Sequence, residues 1–307
     1  MRHLIVILSL WLYTISAYGF ELGVKKVSDS VYALVGEINK RTIENKALNN
    51  TLGFVITDKG VVLVGTGAFD DAAKLLEDAV KSVTDKPIIQ VVSIGSQDHQ
   101  WMGNGYFIKQ KIPVMALKVT VDSQNEFKQE TLQRFSQSQN KKAEDFNPVV
   151  ADHIIDSSKH DFKVGTTEFS LRYLGKGHFP GDAVLWLPQQ KIVFSGDFIF
   201  NDRLLGVHPD TSIVKEWAAS FKKIAALKPE HIIPGHGYPS DLATAQKSTG
   251  DYLDWLLSET SKAVEEMEDL DVVIKRLKEE TRFDKLKFYK QWNPRNISQT
   301  YLQIESE

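Results

Sequence analysis

The sequence predicts an α/β fold built as two layered halves that face one another. Three observations point there: short β-branched runs, stretches of helical period set between or after them, and a second half that repeats the order of strands followed by helix. Residues 31–35, 52–57 and 61–64 are apolar or alternating. The last two runs are joined by Asp58-Lys59-Gly60, which suits a hairpin turn. From Asp70 the period changes, with Ala72, Leu75, Leu76, Ala79, Val80 and Val83 at helical spacing behind acidic residues suited to a helix start. A buried strand follows from Ile88, and it runs out in Ser93-Ile94-Gly95-Ser96-Gln97-Asp98-His99 before Gly103 and Asn104 break the pattern. Residues 113–117 read as another strand. Residues 122–147, rich in Gln, Ser and Lys, read as helix and loop covering another part of the chain, or as a flexible surface insertion.

In the second half, residues 153–156, 162–164, 168–174, 183–187 and 192–194 are strand-like, with turns at 164–166 and 187–190. Two of these runs end in chemistry-bearing residues, Gly177-His178-Phe179-Pro180-Gly181-Asp182 and Phe194-Ser195-Gly196-Asp197. Residues 212–227 form an amphipathic helix with Ile213, Trp217, Phe221 and Ile224 on one side. It leads to a short strand that ends in Pro234-Gly235-His236-Gly237. Glycine on both sides of a histidine lets other backbone approach closely, which a core histidine does not need. Residues 241–267 and 270–277 read as helices packed outside the two halves. For the aromatic tail from Phe288 the sequence leaves burial against those helices and contact with a partner both open.

The amino terminus reads as an export signal. Arg2 and His3 precede an apolar run from Leu4 to Ile15, and Ala17-Tyr18-Gly19 supplies small residues for cleavage before Phe20. The run falls short of the roughly 20 apolar residues of a comfortable membrane span. With 0 cysteines, the exported chain has neither a lipid attachment point here nor disulfides. A hydrophobic content of 42% permits a large core, and a formal net charge of -3 offers no basic stripe for nucleic acid and no polybasic membrane patch. The expected partner is a small-molecule substrate, with an exported protein as a further possibility.

Asp98 and His99 sit where a buried strand meets a loop, a place where α/β proteins hold ligands beside a crevice. Taken with the three later motifs in the same order, they make the chain resemble the metallo-β-lactamase-fold hydrolases from about Val31 to Tyr238. Within that family it looks most similar to the exported quinoprotein-relay-type zinc metallohydrolases. That finer likeness is carried by residues 217–227 with Lys228-Pro229-Glu230, and by the tail from Arg295 to Tyr301. The resemblance implies a four-layer αββα sandwich of two mixed β-sheets flanked by helices. It divides the chain into a signal peptide (1–19), a metallo-β-lactamase-like domain (20–240) and a C-terminal helical extension (241–307).

The same resemblance implies a metal centre with one of two sites lost. Family members carry H-x-H-x-D-H in the first motif, and here its two leading histidines fall at Ile94 and Ser96. Isoleucine has no donor atom, and a neutral serine hydroxyl is a poor zinc ligand. A further aspartate of the family falls at Gly65. The remaining set, Asp98, His99, Asp197 and His236, is expected to hold one zinc ion, with iron or manganese also compatible. A metal there would lower the pKa of its water toward about 7. Asp98, as general base if it instead stays unbound, and His178, by hydrogen-bonding substrate or moving a proton, are the catalytic candidates. Two functions follow: a one-metal hydrolase of a small ester, lactone, lactam or thioester, or a catalytically inactive binding or accessory protein of a periplasmic or secreted enzyme system.

Overall fold

The computed structural model describes residues 20–307; the expected signal peptide lies outside the described residues. Strands β1 (Gly23–Lys26), β2 (Val31–Val35), β3 (Thr51–Ile56) and β4 (Val61–Val64) form an antiparallel meander. Helix α1 (Asp70–Lys81) crosses to β5 (Ile88–Val92), the short helices α2 (Asp98–Trp101) and α3 (Asn104–Lys109) lead to β6 (Val114–Leu117), and α4 (Lys118–Ser138) leads to β7 (His153–Ile155). From β4 onward the pairing is parallel, so the seven strands lie in chain order as one mixed sheet.

The second sheet contains β8 (Lys159–Val164), β9 (Thr167–Arg172), β10 (Val184–Leu187), β11 (Ile192–Phe200) and β12 (His231–His236) in the order β12-β11-β10-β9-β8. Helix α5 (Val214–Ala226) is the parallel crossover from β11 to β12. Helices α6 (Leu242–Ala245), α7 (Asp251–Glu265), α8 (Leu270–Leu277) and α9 (Tyr289–Glu305) complete the chain.

Side-chain alternation explains the layering. In β2, Val31, Ala33 and Val35 point between the sheets, where they meet Phe169, Leu185 and Phe194 of the second sheet. Leu34 points the other way, into an outer layer with Ala72, Leu76 and Val80 of α1 and Phe107 of α3. The outer face of the second sheet, with Val184, Trp186, Val193 and Ile232, packs on Trp217 and Phe221 of α5 and on Leu253 and Leu256 of α7. The result is an αββα sandwich of two mixed sheets.

One strand outruns the sequence expectation, and the tail takes one of the two courses that the sequence left open. Strand β11 does not stop at Phe194 but runs buried through Phe200. Gly196, at φ +51, shifts its register against β12, and pairing resumes at Phe200 opposite His236. The aromatic tail is buried: Tyr289, Ile297 and Tyr301 of α9 join the cluster that holds Trp217. No helix among the described residues is long and apolar enough to cross a membrane.

Candidate metal centre

The turn after β5, the kinked middle of β11 and the end of β12 converge. The turn after β5 feeds α2, which carries Asp98 and His99, while β11 carries Asp197 and β12 ends in His236. Close approach of β11 and β12 depends on Gly235, because a Cβ there would lie 2.2 Å from Asp197 Oδ1 and 2.6 Å from the Gly196 carbonyl carbon. Asp182 ties two of the motif loops together. Its carboxylate accepts the Phe179 N–H at 2.8 Å and the Ser96 N–H at 3.2 Å. Burial, followed by the charge of Asp197, pushes this carboxyl up to about 8.

His99, Asp197 and His236 place one donor atom each within 4.8 Å of one another, and all three are buried. His99 Nε2 lies 3.1 Å from Asp197 Oδ2, and His236 Nε2 lies 3.8 Å from Asp197 Oδ1. Gln100 Nε2 donates to Asp197 Oδ1 at 3.1 Å. His236 Nδ1 sits 2.8 Å from the Asn49 carbonyl, which accepts only from a protonated Nδ1. That hydrogen bond leaves the Nε2 lone pair facing Asp197, the arrangement that metal-binding imidazoles require. The donor chemistry of these three residues fits one divalent ion.

The fourth expected ligand is placed elsewhere. Asp98 Oδ2 accepts a short hydrogen bond from Arg41 Nη1, and Oδ1 accepts the His99 N–H at 2.7 Å while lying 3.4 Å from His99 Nδ1. Asp98 therefore stands behind His99, outside the three-donor group. Burial alone would raise its pKa, but the Arg41 guanidinium and His99 outweigh that and hold the carboxyl well below the usual range. A carboxylate held so is a weak general base. Asp197 is likewise held low against its burial, by His99 first and by His236 and His178 after it. His99 is the counterpart: burial lowers it, yet Asp197 and Asp98 together raise it.

His178 is not brought into the group. Its ring lies among Phe179, Phe200 and Trp217 with centroids at 5.4, 5.8 and 5.5 Å, and Phe200 stacks on His236 at 4.6 Å. Ser212 Oγ is 3.2 Å from its Nδ1. Burial lowers its pKa to about 4, so near neutral pH the ring holds no extra proton to give. Beside it opens a cavity of about 170 Å³ that Arg295 and Asn296 of α9 also line.

The three positions that the sequence singled out as lacking ligands, Ile94, Ser96 and Gly65, are all buried. Ile94 is 3% exposed among the residues between the sheets, and Ser96 Oγ has no hydrogen-bond partner among the described residues. Gly65 has φ +77, and a Cβ on it would meet Leu52 Cδ2 at 2.4 Å, so no larger side chain fits there without a shift.

Four contributors were not read from the sequence. Arg41 and Asn49 come from the segment at residues 36–50, Gln100 follows His99, and Arg203 lies beyond β11. Arg203 is 6% exposed and packs over the rings of Phe288 and Trp292, with Nη1 3.3 Å from His236 Nδ1. Arg203 has no carboxylate partner among the described residues, and burial lowers its pKa to about 10. The available signal was the 36–50 segment itself, which is long for a connection between paired strands and therefore a candidate functional loop.

Residues 102–236 match the family profile described as "Metallo-beta-lactamase superfamily". Over that segment the chain is similar to the metallo-β-lactamase superfamily. Among the proteins it is similar to, "Metallo-beta-lactamase type 2" of Elizabethkingia meningoseptica is 25% identical over 238 residues, covering 75% of this chain and 86% of that protein. "Metallo-beta-lactamase IND-1" of Chryseobacterium indologenes is 25% identical over 187 residues, covering 60% and 70%. The solved structure of a metallo-beta-lactamase from Pontibacter korlensis superposes with TM-score 0.59 at 20% identity, covering 76% of this chain and 99% of that one. DIM-1 metallo-beta-lactamase exposed to ceftazidime gives 0.57 at 20% identity, with 76% and 97% covered. These structural likenesses establish the superfamily fold.

Proposed function

We propose that the chain is an exported hydrolase that works with one divalent ion, zinc in the first instance and iron or manganese as alternatives. The observation that carries this reading is the buried His99, Asp197 and His236 group, with His236 Nδ1 turned to a backbone carbonyl and Nε2 turned inward. A bound ion supplies Lewis acidity, polarising a substrate carbonyl and acidifying water. The chain's own part is to hold that ion and fix the donors. Gln100 steadies one oxygen of Asp197, Asn49 fixes the tautomer of His236, and Asp98 backs His99. Small esters, lactones, lactams and thioesters are the substrates to test, and the names of the relatives are a reason to begin with lactams. The apolar run near residue 4 and the small residues before Phe20 support export to the periplasm or medium.

A second reading, a non-catalytic binding or accessory protein serving an exported enzyme, is favoured by one set of observations. Ile94 fills the place of a ligand, and the three donors are only 1–3% exposed. Elemental analysis of protein purified without chelator separates the two. The hydrolase reading expects about one transition-metal ion per chain, lost in a His99→Ala/His236→Ala double variant. Metal-free protein that stays metal-free after zinc is supplied overturns it in favour of the accessory role.

A further inference from the structure

Asp98 is buried and charged and adjoins His99, one of the three proposed donors, and each of its oxygens already accepts a hydrogen bond. Oδ2 carries the Arg41 guanidinium, and Oδ1 carries the His99 N–H at 2.7 Å. Arg41 is not a loose surface arginine, since its side chain is 21% exposed and lies over the Phe135 ring at 6.0 Å. The segment that presents it is braced from within. Asn45 accepts the Thr42 N–H at 2.8 Å and donates to Glu37 Oε2 at 3.0 Å and to the Lys40 carbonyl at 3.1 Å. The same segment ends in the Asn49 carbonyl that fixes His236. One loop therefore touches the centre twice, through a cation on Asp98 and through an acceptor on His236.

We propose that Arg41 withholds Asp98 from the ion, so that the centre is a three-donor site whose grip is set by the seating of the 36–50 loop. This inference rests on the one-ion reading above. The physical reason is competition: a guanidinium and a divalent cation repel each other, and an oxygen oriented toward Arg41 at close range is a poorer donor to the ion. With Arg41 seated, Asp98 is a positioning residue for His99. With Arg41 removed, its freed oxygen becomes a fourth donor.

The test is a double-variant cycle on metal-free full-length protein, with zinc affinity read by competition against a chromophoric chelator and folding checked by circular dichroism. In the wild type, Asp98→Asn should change affinity by less than about tenfold, because no direct ligand is lost. Arg41→Met should bind zinc at least about tenfold more tightly than the wild type, and Asp98→Asn in that background should remove the gain. Equal effects of Asp98→Asn in both backgrounds, or an Arg41→Met protein that binds no tighter, would overturn the proposal. Should Arg41→Met not fold, the visible spectrum of cobalt(II) on wild type and Asp98→Asn decides. Matching bands support three donors without Asp98, and altered bands refute it. The failure of the hydrolase reading looks different: zinc would bind to Arg41→Met alone, which supports the role of Arg41, or to neither protein, which overturns both.

Discussion

His178 makes the chain acid-sensitive in a way that can be calculated. Its imidazole is buried among three aromatic rings, and burial lowers its pKa from 6.5 to about 4. The unfolded chain then takes up a proton below about pH 6.5 that the folded chain refuses until about pH 4, so stability rises with pH across that window and is lost as pH falls. Each unit of displacement is worth about 1.4 kcal/mol, so this residue should remove about 2 kcal/mol between about pH 7 and pH 5, and about 3 by pH 4. His178→Gln keeps a polar side chain opposite Ser212 Oγ, which sits 3.2 Å from Nδ1, and removes the titration. Urea unfolding of both proteins at several pH values isolates the effect as a difference, because other groups contribute equally to each. The two stability curves should converge or cross toward acid, with the wild type losing about 2 kcal/mol more by about pH 5. Parallel curves would refute the assignment of a neutral, desolvated ring.

Two further substitutions probe the scaffold. Asn296 is fully buried and joins α9 to the segment after β11, accepting the Val207 N–H and donating to the Leu205 carbonyl, both at 2.8 Å. Asn296→Ala should cost about 3 kcal/mol by chemical denaturation and speed proteolysis near residue 206, whereas unchanged stability would mean the link is dispensable. Gly53→Ala would put a Cβ 2.3 Å from the Tyr32 carbonyl oxygen and 2.8 Å from Phe194 Cε1. A fall of about 3 kcal/mol, seen as a lowered Tm, is expected from overpacking between the sheets; a neutral result would show that β2 and β3 can move apart freely.

Much of the fold was legible because its signals are local. The period change at Asp70, the hairpin at Asp58-Lys59-Gly60 and the glycine-flanked His236 each act within a few residues, and the elements they announce are present. The strand through Asp197 was underestimated because Ser195-Gly196 reads as an end, whereas parallel pairing with β12 carries the chain past the kink. At the centre, His99, Asp197 and His236 come together, whereas the residues alone left Asp98 open between ligand and unbound base. The separation of Asp98 from the three depends on Arg41, a residue 57 positions away on a loop with no periodic pattern. His178 shows the same limit: its motif is visible in the sequence, while the Phe200 and Trp217 rings that neutralise it come from other elements.

The hold that α9 has on the segment after β11 bears on how the protein is made. Leu205 and Val207 are fixed by Asn296, whose amide also meets the Tyr252 hydroxyl at 3.0 Å. A nascent chain that has already emitted both sheets still lacks this fastening. The wall beside His178 can therefore take its final shape only after residues 289–305 have emerged, although every proposed donor left the ribosome long before. Completion of that wall thus comes last in the folding of the chain.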